Sequence, residues 1–155
     1  MKNQRNIKLS LVRASIFVYV LLGTPFLVQA APLDPEKVVV VANLKAPVTL
    51  SVSELSRIFK MRQKVWRDGQ PISVFVLSGS NEFHRVFVKE NLNMSTTQLR
   101  HAWSRLIFSG TGSMPEEVDG TDKMLKRLYE TPGAIGYLPL VMMSDSNLQQ
   151  VTVTH

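Results

Sequence analysis

Ser78-Gly79-Ser80-Asn81 is the stretch of this chain whose residue types and spacing best fit a chemical role. It follows Ile72 to Leu77, a run rich in β-branched and aromatic residues, and precedes Phe83, Val86 and Phe87 at helical spacing. Small polar residues therefore fall where a helix presents unpaired N–H groups and the positive end of its dipole, a position that suits an oxyanion. Gly79 lets the backbone approach a bound group closely, and the hydroxyls of Ser78 and Ser80 can donate to it. Serine and asparagine are also good helix caps, so this stretch alone leaves a purely structural use open. Thr49, Ser109, Thr111 and Ser113 would add donors if their loops reach the carboxyl edge of the strands, where open α/β sheets bind ligands. The loop Ser109 to Ser113 follows a helix rather than a strand, and connector is its simpler reading.

Catalytic constellations find little support. His84, His101 and His155 fall on two different helices and at the chain end, with no metal-ligand spacing among them, and a surface role is the default for each. Leu77-Ser78-Gly79-Ser80 is not a nucleophile elbow. Glu116, Glu117 and Asp119 share a loop but lack the spacing of oxygen ligands for calcium, so they read as solvated surface. Trp103 and Tyr137 lie on expected core faces, whereas Trp66, before a turn, suits either core or platform. The residues thus imply no catalytic group, no metal and no cofactor.

The elements that must position the junction are legible from periodicity. Val38 to Val41 is a continuous β-branched run, the mark of a buried strand. Asn43 to Pro47 reads as a loop. Ser51 with Glu54 forms a capping box, flanked by Leu50 and Leu55 at staple positions, and predicts a helix with Leu55, Ile58 and Phe59 inward. Arg67 to Pro71 is a turn by composition, and Ile72 to Leu77 is the second strand. The helix after the junction runs to about Asn91. Another opens at Ser95 with Gln98 at its third position and carries Leu99, Ala102, Trp103, Leu106 and Ile107. Thr111 to Gly120 is expected to be a loop and Thr121 to Glu130 a helix stopped by Pro132-Gly133. Ala134 to Leu138 is a third buried strand, Pro139 to Leu148 is irregular or a single helical turn, and Val151 with Val153 gives an alternating last strand. Strands separated by helices imply an α/β fold with a largely parallel sheet covered on both faces.

Lys2, Arg5, Lys8 and Arg13 precede an apolar stretch from Ala14 to Val28 that closes on Val28-Gln29-Ala30, the pattern of a cleavable signal peptide. Cleavage after Ala30 is expected, leaving residues 31–155 as one domain in the periplasm, with membrane contact only through the signal peptide. The precursor has 18 basic and 12 acidic residues. Four of the basic ones leave with the peptide, so the remainder is nearly balanced at +2 and carries no nucleic-acid footprint. With no cysteine in the chain, stability must come from the hydrophobic core.

Val38-Val39-Val40-Val41-Ala42-Asn43, Leu55-Ser56-Arg57-Ile58-Phe59-Lys60, Trp66-Arg67-Asp68-Gly69-Gln70-Pro71-Ile72, Ser78-Gly79-Ser80 and Thr131-Pro132-Gly133-Ala134-Ile135-Gly136-Tyr137 occur in an order that resembles the phosphate-binding proteins of ABC transporters. The chain is most similar to small one-lobe members of that group, over about Val38 to Leu138. The resemblance implies a single lobe of a type 2 periplasmic binding protein fold, with a mostly parallel central sheet flanked by helices. It also implies phosphate or a related small oxyanion as ligand, contacted by Ser78, Gly79 and Ser80, with Asn81 beside them. An arginine that usually precedes the serine-glycine pair is replaced here by Val74 to Leu77, and Arg85 could serve instead by folding back. The family's second lobe, whose carboxylate accepts the ligand's proton, does not fit in this length. Transport or sensing of phosphate is therefore one expectation. The other is an accessory module that keeps the fold without the ligand and docks on an envelope protein or sensor.

Overall fold

The computed structural model describes residues 37–143 and 147–154. The expected signal peptide and its cleavage site lie outside the described residues, as does His155. Among the described residues, no helix is long and apolar enough to cross a membrane.

The chain runs β1 (Val38–Ala42), β2 (Thr49–Ser51), α1 (Val52–Phe59), β3 (Ser73–Leu77), α2 (Glu82–Leu92), α3 (Thr96–Phe108), β4 (Glu116–Val118), α4 (Thr121–Glu130) and β5 (Ala134–Pro139). A single 3-10 turn, Leu140–Met143, follows, then β6 (Gln149–Gln150) and β7 (Thr152–Thr154). Five strands form the main sheet in the order β4-β3-β5-β1-β6, and β2 pairs with β7 in a separate two-stranded sheet. β4, β3 and β5 are mutually parallel, while β1 lies antiparallel to both β5 and β6. Four of the five strands thus point one way, which makes the sheet mostly parallel.

The antiparallel strand decides which loops can meet. Leu77 at the end of β3 and Pro139 at the end of β5 share one edge, and the pairing of Val38 with Pro139 puts the start of β1 there too. The end of β1 lies at the opposite edge, where Asn43 N–H donates to the Ala134 carbonyl and Gly133 N–H to that of Asn43, both at 2.9 Å. Loops after β3 and after β1 therefore leave from opposite edges.

β1 and β5 are buried along their whole length, as continuous apolar runs require when both faces of a sheet are covered. α4 lies on one face, with Met124 and Leu128 against Gly136. A Cβ at that glycine would come within 2.8 Å of the Met124 sulfur, so helix and strand touch only because the side chain is missing. On the other face Tyr137 stacks on Phe87 of α2, with ring centroids 3.9 Å apart and planes 8° apart, and Phe59 of α1 completes the cluster at 6.1 Å from Tyr137. Large buried aromatics dominate core energetics, each contributing roughly 1.5–3 kcal/mol on burial. This trio fixes the height of α2 above the sheet.

The capping signals hold in detail. Ser51 Oγ accepts from Glu54 N–H while Glu54 Oε2 accepts from Ser51 N–H, and Ser95 with Gln98 repeats the reciprocal pair at α3. Three expectations need correction. Glu116 to Val118 is a strand beside β3, not loop, because Phe75, Val76 and Leu77 offer it a free parallel edge that composition does not reveal. Thr49 to Ser51 is likewise a short strand, and the last strand is split at Val151 between the two sheets. Trp66, which the sequence left open between core and platform, is a core residue, its indole N–H donating to the Gly133 carbonyl at 2.9 Å.

Candidate functional site

The junction sits where β3 ends at the carboxyl edge and α2 begins. Asn81 is the N-cap, its Oδ1 accepting from Phe83 N–H at 2.9 Å, and Asn81 N–H closes a turn onto the Ser78 carbonyl at 2.8 Å. One orphan amide of the helix is thus used by the cap. The N–H groups of Gly79, Ser80 and Glu82 have no partner among the described residues, and Gly79 and Ser80 are exposed. The Ser78 and Ser80 hydroxyls lie 3.3 Å apart on the same rim. Gly79, Ser80 and Glu82 are all exposed, and among the described residues nothing stands within 4 Å of where a Cβ on Gly79 would lie, so the amides and dipole of this helix start act outward.

Arg85 folds back toward the junction, and its guanidinium donates to the Ser80 carbonyl at 2.9 Å. That bond sets a positive charge at the rim without engaging the serine hydroxyls, which contact each other. Thr49 is not brought here. It begins β2, reached from the opposite edge because β1 is antiparallel, and pairs with Thr152. Thr111 bonds to Ser109 at 2.7 Å, and Ser109 in turn donates to the Leu106 carbonyl, so this loop caps the end of α3. Neither threonine lines the cavity at Gly79.

That cavity, of about 110 Å³, is walled by Leu77, Gly79, His84, Thr96, Arg100, Trp103, Met114 and Glu117. Its volume exceeds the roughly 30 Å³ share of one water several times over. Arg100, Thr96 and Glu117 come from α3 and β4, and sequence reasoning did not select them. The helical period of α3 would have placed Thr96, Arg100 and Trp103 along one stripe, but nothing in the sequence says that this stripe faces the β3–α2 junction.

His84 is corrected most plainly. Expected on the surface, it is 2% exposed, with Nδ1 at 2.6 Å from the Tyr137 hydroxyl. That hydroxyl also accepts from Leu77 N–H at 2.8 Å, which ties the last residue of β3, the first turn of α2 and the middle of β5 into one chain. Burial lowers the pKa of His84, opposed by the Glu117 carboxylate, and burial raises that of Tyr137. Both are neutral at pH 7. On β4 and α4, Glu116 pairs bidentately with Arg127 at 2.7–2.9 Å and Asp119 with Lys123 at 3.0 Å, leaving Glu117 as the carboxylate at the cavity.

No family model and no curated protein matches the chain. Among solved structures it resembles a putative phosphate ABC transporter substrate-binding protein with bound phosphate from Clostridium perfringens, at a TM-score of 0.59 and 17% identity over 75% of this chain and 44% of that one. It also resembles an ABC-type phosphate transport receptor from Vibrio cholerae, at 0.56 and 16% over 75% and 45%. A possible phosphate binding protein from Planctomyces limnophilus gives 0.55 and 16% over 76% and 41%. The chain spans less than half the length of these proteins. At such identities the likeness is one of fold: a mostly parallel sheet flanked by helices, shared with part of each of these binding proteins.

Proposed function

We propose that this chain is a periplasmic solute-binding module that recognises phosphate or a related small oxyanion at the β3–α2 junction, serving phosphate transport or sensing. The observation that carries the reading is the uncovered start of α2. Unpartnered N–H groups at Gly79, Ser80 and Glu82 stand beside the Ser78 and Ser80 hydroxyls at the carboxyl edge of the sheet. An anion there meets amide donors and the positive helix end together. Arg100, in the wall of the adjoining cavity, and Arg85, held at the Ser80 carbonyl, supply positive charge where Val74 to Leu77 do not. The solved structures of this fold include one described with bound phosphate, which supports the same ligand class. Recognition on one lobe is open to water, so affinity is modest unless a second surface closes over the anion.

Isothermal titration of residues 31–155 with phosphate, sulfate and a nucleotide tests this, with Ser78→Ala/Ser80→Ala as the control. Heat from a small oxyanion that the double substitution abolishes supports the reading. No heat with any anion rejects it. That outcome favours a second reading, an accessory module that docks on an envelope protein, for which the structural support is Phe108, 90% exposed at the end of α3 beside exposed Ile107.

A further inference from the structure

The junction contains one group that a simple helix-start site does not need. His84 is almost wholly enclosed, yet it forms part of the cavity wall at Gly79. Its Nδ1 is engaged by Tyr137, and Nε2 has no partner among the described residues. Every fully enclosed side-chain nitrogen or oxygen among the described residues has a partner, so Nε2 must open onto accessible space, and the cavity is the space that His84 lines.

Donor counting fixes where the ring proton sits. The Tyr137 hydroxyl accepts from Leu77 N–H and has one proton of its own to give. If His84 carried its proton on Nδ1, that N–H would point at the tyrosine oxygen, and the buried tyrosine proton would have no acceptor. With the proton on Nε2, Tyr137 donates to Nδ1 and every buried group is satisfied. Leaving one unsatisfied costs about 1–3 kcal/mol, enough to hold one tautomer at a ratio of roughly five to one or better.

We propose that His84 is a ligand-binding residue of this pocket: Tyr137, by donating to Nδ1, holds the neutral ring with its proton on Nε2 and presents that N–H to the bound oxyanion. Tyr137 is the positioning residue. The inference rests on the anion-binding reading above and adds to it a specific donor and a linkage to protons. A cationic ring attracts an anion more strongly than a neutral one, so a bound anion favours a second proton on His84, against the cost of leaving the Tyr137 proton without an acceptor, and binding tightens as pH falls. The charged and titratable groups facing the ring are Tyr137 of β5, Glu117 of β4 and Arg100 of α3, with Arg85 of its own helix held at the Ser80 carbonyl. Of these, Glu117 is the one carboxylate, and its effect is separable by substitution.

The test uses protein expressed from the full sequence. Long-range ¹H–¹⁵N spectra of the His84 ring at pH 7.5 are expected to show the Nε2–H tautomer in the wild type and a mixture in Tyr137→Phe. Inorganic phosphate and sulfate are then titrated while the ring signals are followed. Sulfate keeps its charge from pH 8 to 5, so a change in its affinity over that range belongs to the protein. Expected are a shift of the Nε2 signals on binding and sulfate affinity rising toward acid in wild type and in Glu117→Gln. Loss of one hydrogen bond to a charged group in His84→Phe should weaken binding by about tenfold or more. An Nδ1–H tautomer, or saturable binding that leaves the His84 signals and the pH profile unchanged, overturns the inference while the anion site stands. Absence of any binding to wild type overturns both, and is recognised by the unmoved signals of Ser78 to Glu82. The wild-type measurements decide the matter even if a variant fails to fold.

Discussion

Two glycines, Gly133 and Gly79, are expected to respond oppositely to the same substitution. Gly133 has φ +78°, a left-handed conformation that disfavours a side chain by roughly 1–2 kcal/mol. A Cβ there would stand 2.5 Å from the Pro71 carbonyl oxygen, a backbone atom that cannot swing aside. Nor can Gly133 move away, since its N–H is bonded to Asn43 and its carbonyl accepts from Trp66 Nε1 and from Ser73 N–H. Relief would break at least one of these bonds, adding about 1–3 kcal/mol, while the lower entropy of the unfolded alanine chain returns at most about 1 kcal/mol. Gly133→Ala should therefore lose roughly 2–4 kcal/mol, a large part of an ordinary domain stability of about 5–15 kcal/mol. At Gly79 φ is ordinary and a Cβ meets nothing within 4 Å. Gly79→Ala should change stability by no more than about 1 kcal/mol and act on anion affinity instead, because the new methyl enters the space a ligand would use. Urea denaturation followed by circular dichroism measures both at constant m. A loss below about 1 kcal/mol at Gly133, or one above about 2 kcal/mol at Gly79, would refute the packing argument.

Trp66→Phe removes the indole donor to Gly133 and should destabilise by about 1–3 kcal/mol in the same assay, with fluorescence of the remaining Trp103 unchanged in the native state. Ser51→Ala removes the reciprocal cap of α1 and should cost about 1 kcal/mol. Glu54 is held down to about 2 by the Ser51 backbone N–H, then the Arg67 side chain and the Ser51 hydroxyl. Its lowered folded pKa means a contribution present above the unfolded value near 4.5 and lost as pH falls toward 2, so Glu54→Gln should lower stability at pH 7 and make little difference near pH 2. His84 has a folded pKa below its ordinary 6.5, so its stabilising effect is present above that value and is lost as pH falls through the lowered one. Stability measured from pH 7 to 5 should fall in wild type and fall less in His84→Phe, relative to each protein's own value at pH 7.

Where a local rule governed, the sequence was readable to the residue. Ser51 with Glu54 and Ser95 with Gln98 announce their helices because a capping box is satisfied within four residues. The buried strands were legible as apolar runs, and the junction at Ser78 to Asn81 as small polar residues between two periodicities. What could not be read was set by pairings between distant segments. Glu116 to Val118 is a strand only because β3 offers an edge, and Thr49 is far from the junction only because β1 runs against its neighbours. His84 illustrates the point for the site. Between Phe83 and Arg85 it gives no sign of burial, and its partner Tyr137 lies 53 residues away. Arg100 and Glu117 reach the same cavity from two further elements, so the wall opposite the junction is a product of tertiary packing.

The most direct test of the account is to follow the backbone amide resonances of Gly79, Ser80 and Glu82 while inorganic phosphate is added to the protein at pH 7.5. Hydrogen bonding to an anion should move these three N–H signals downfield together and saturably, with the Asn43 and Gly133 amides at the opposite edge still. If they stay in place, or if the saturating shifts appear elsewhere, the uncovered start of α2 is not a binding site.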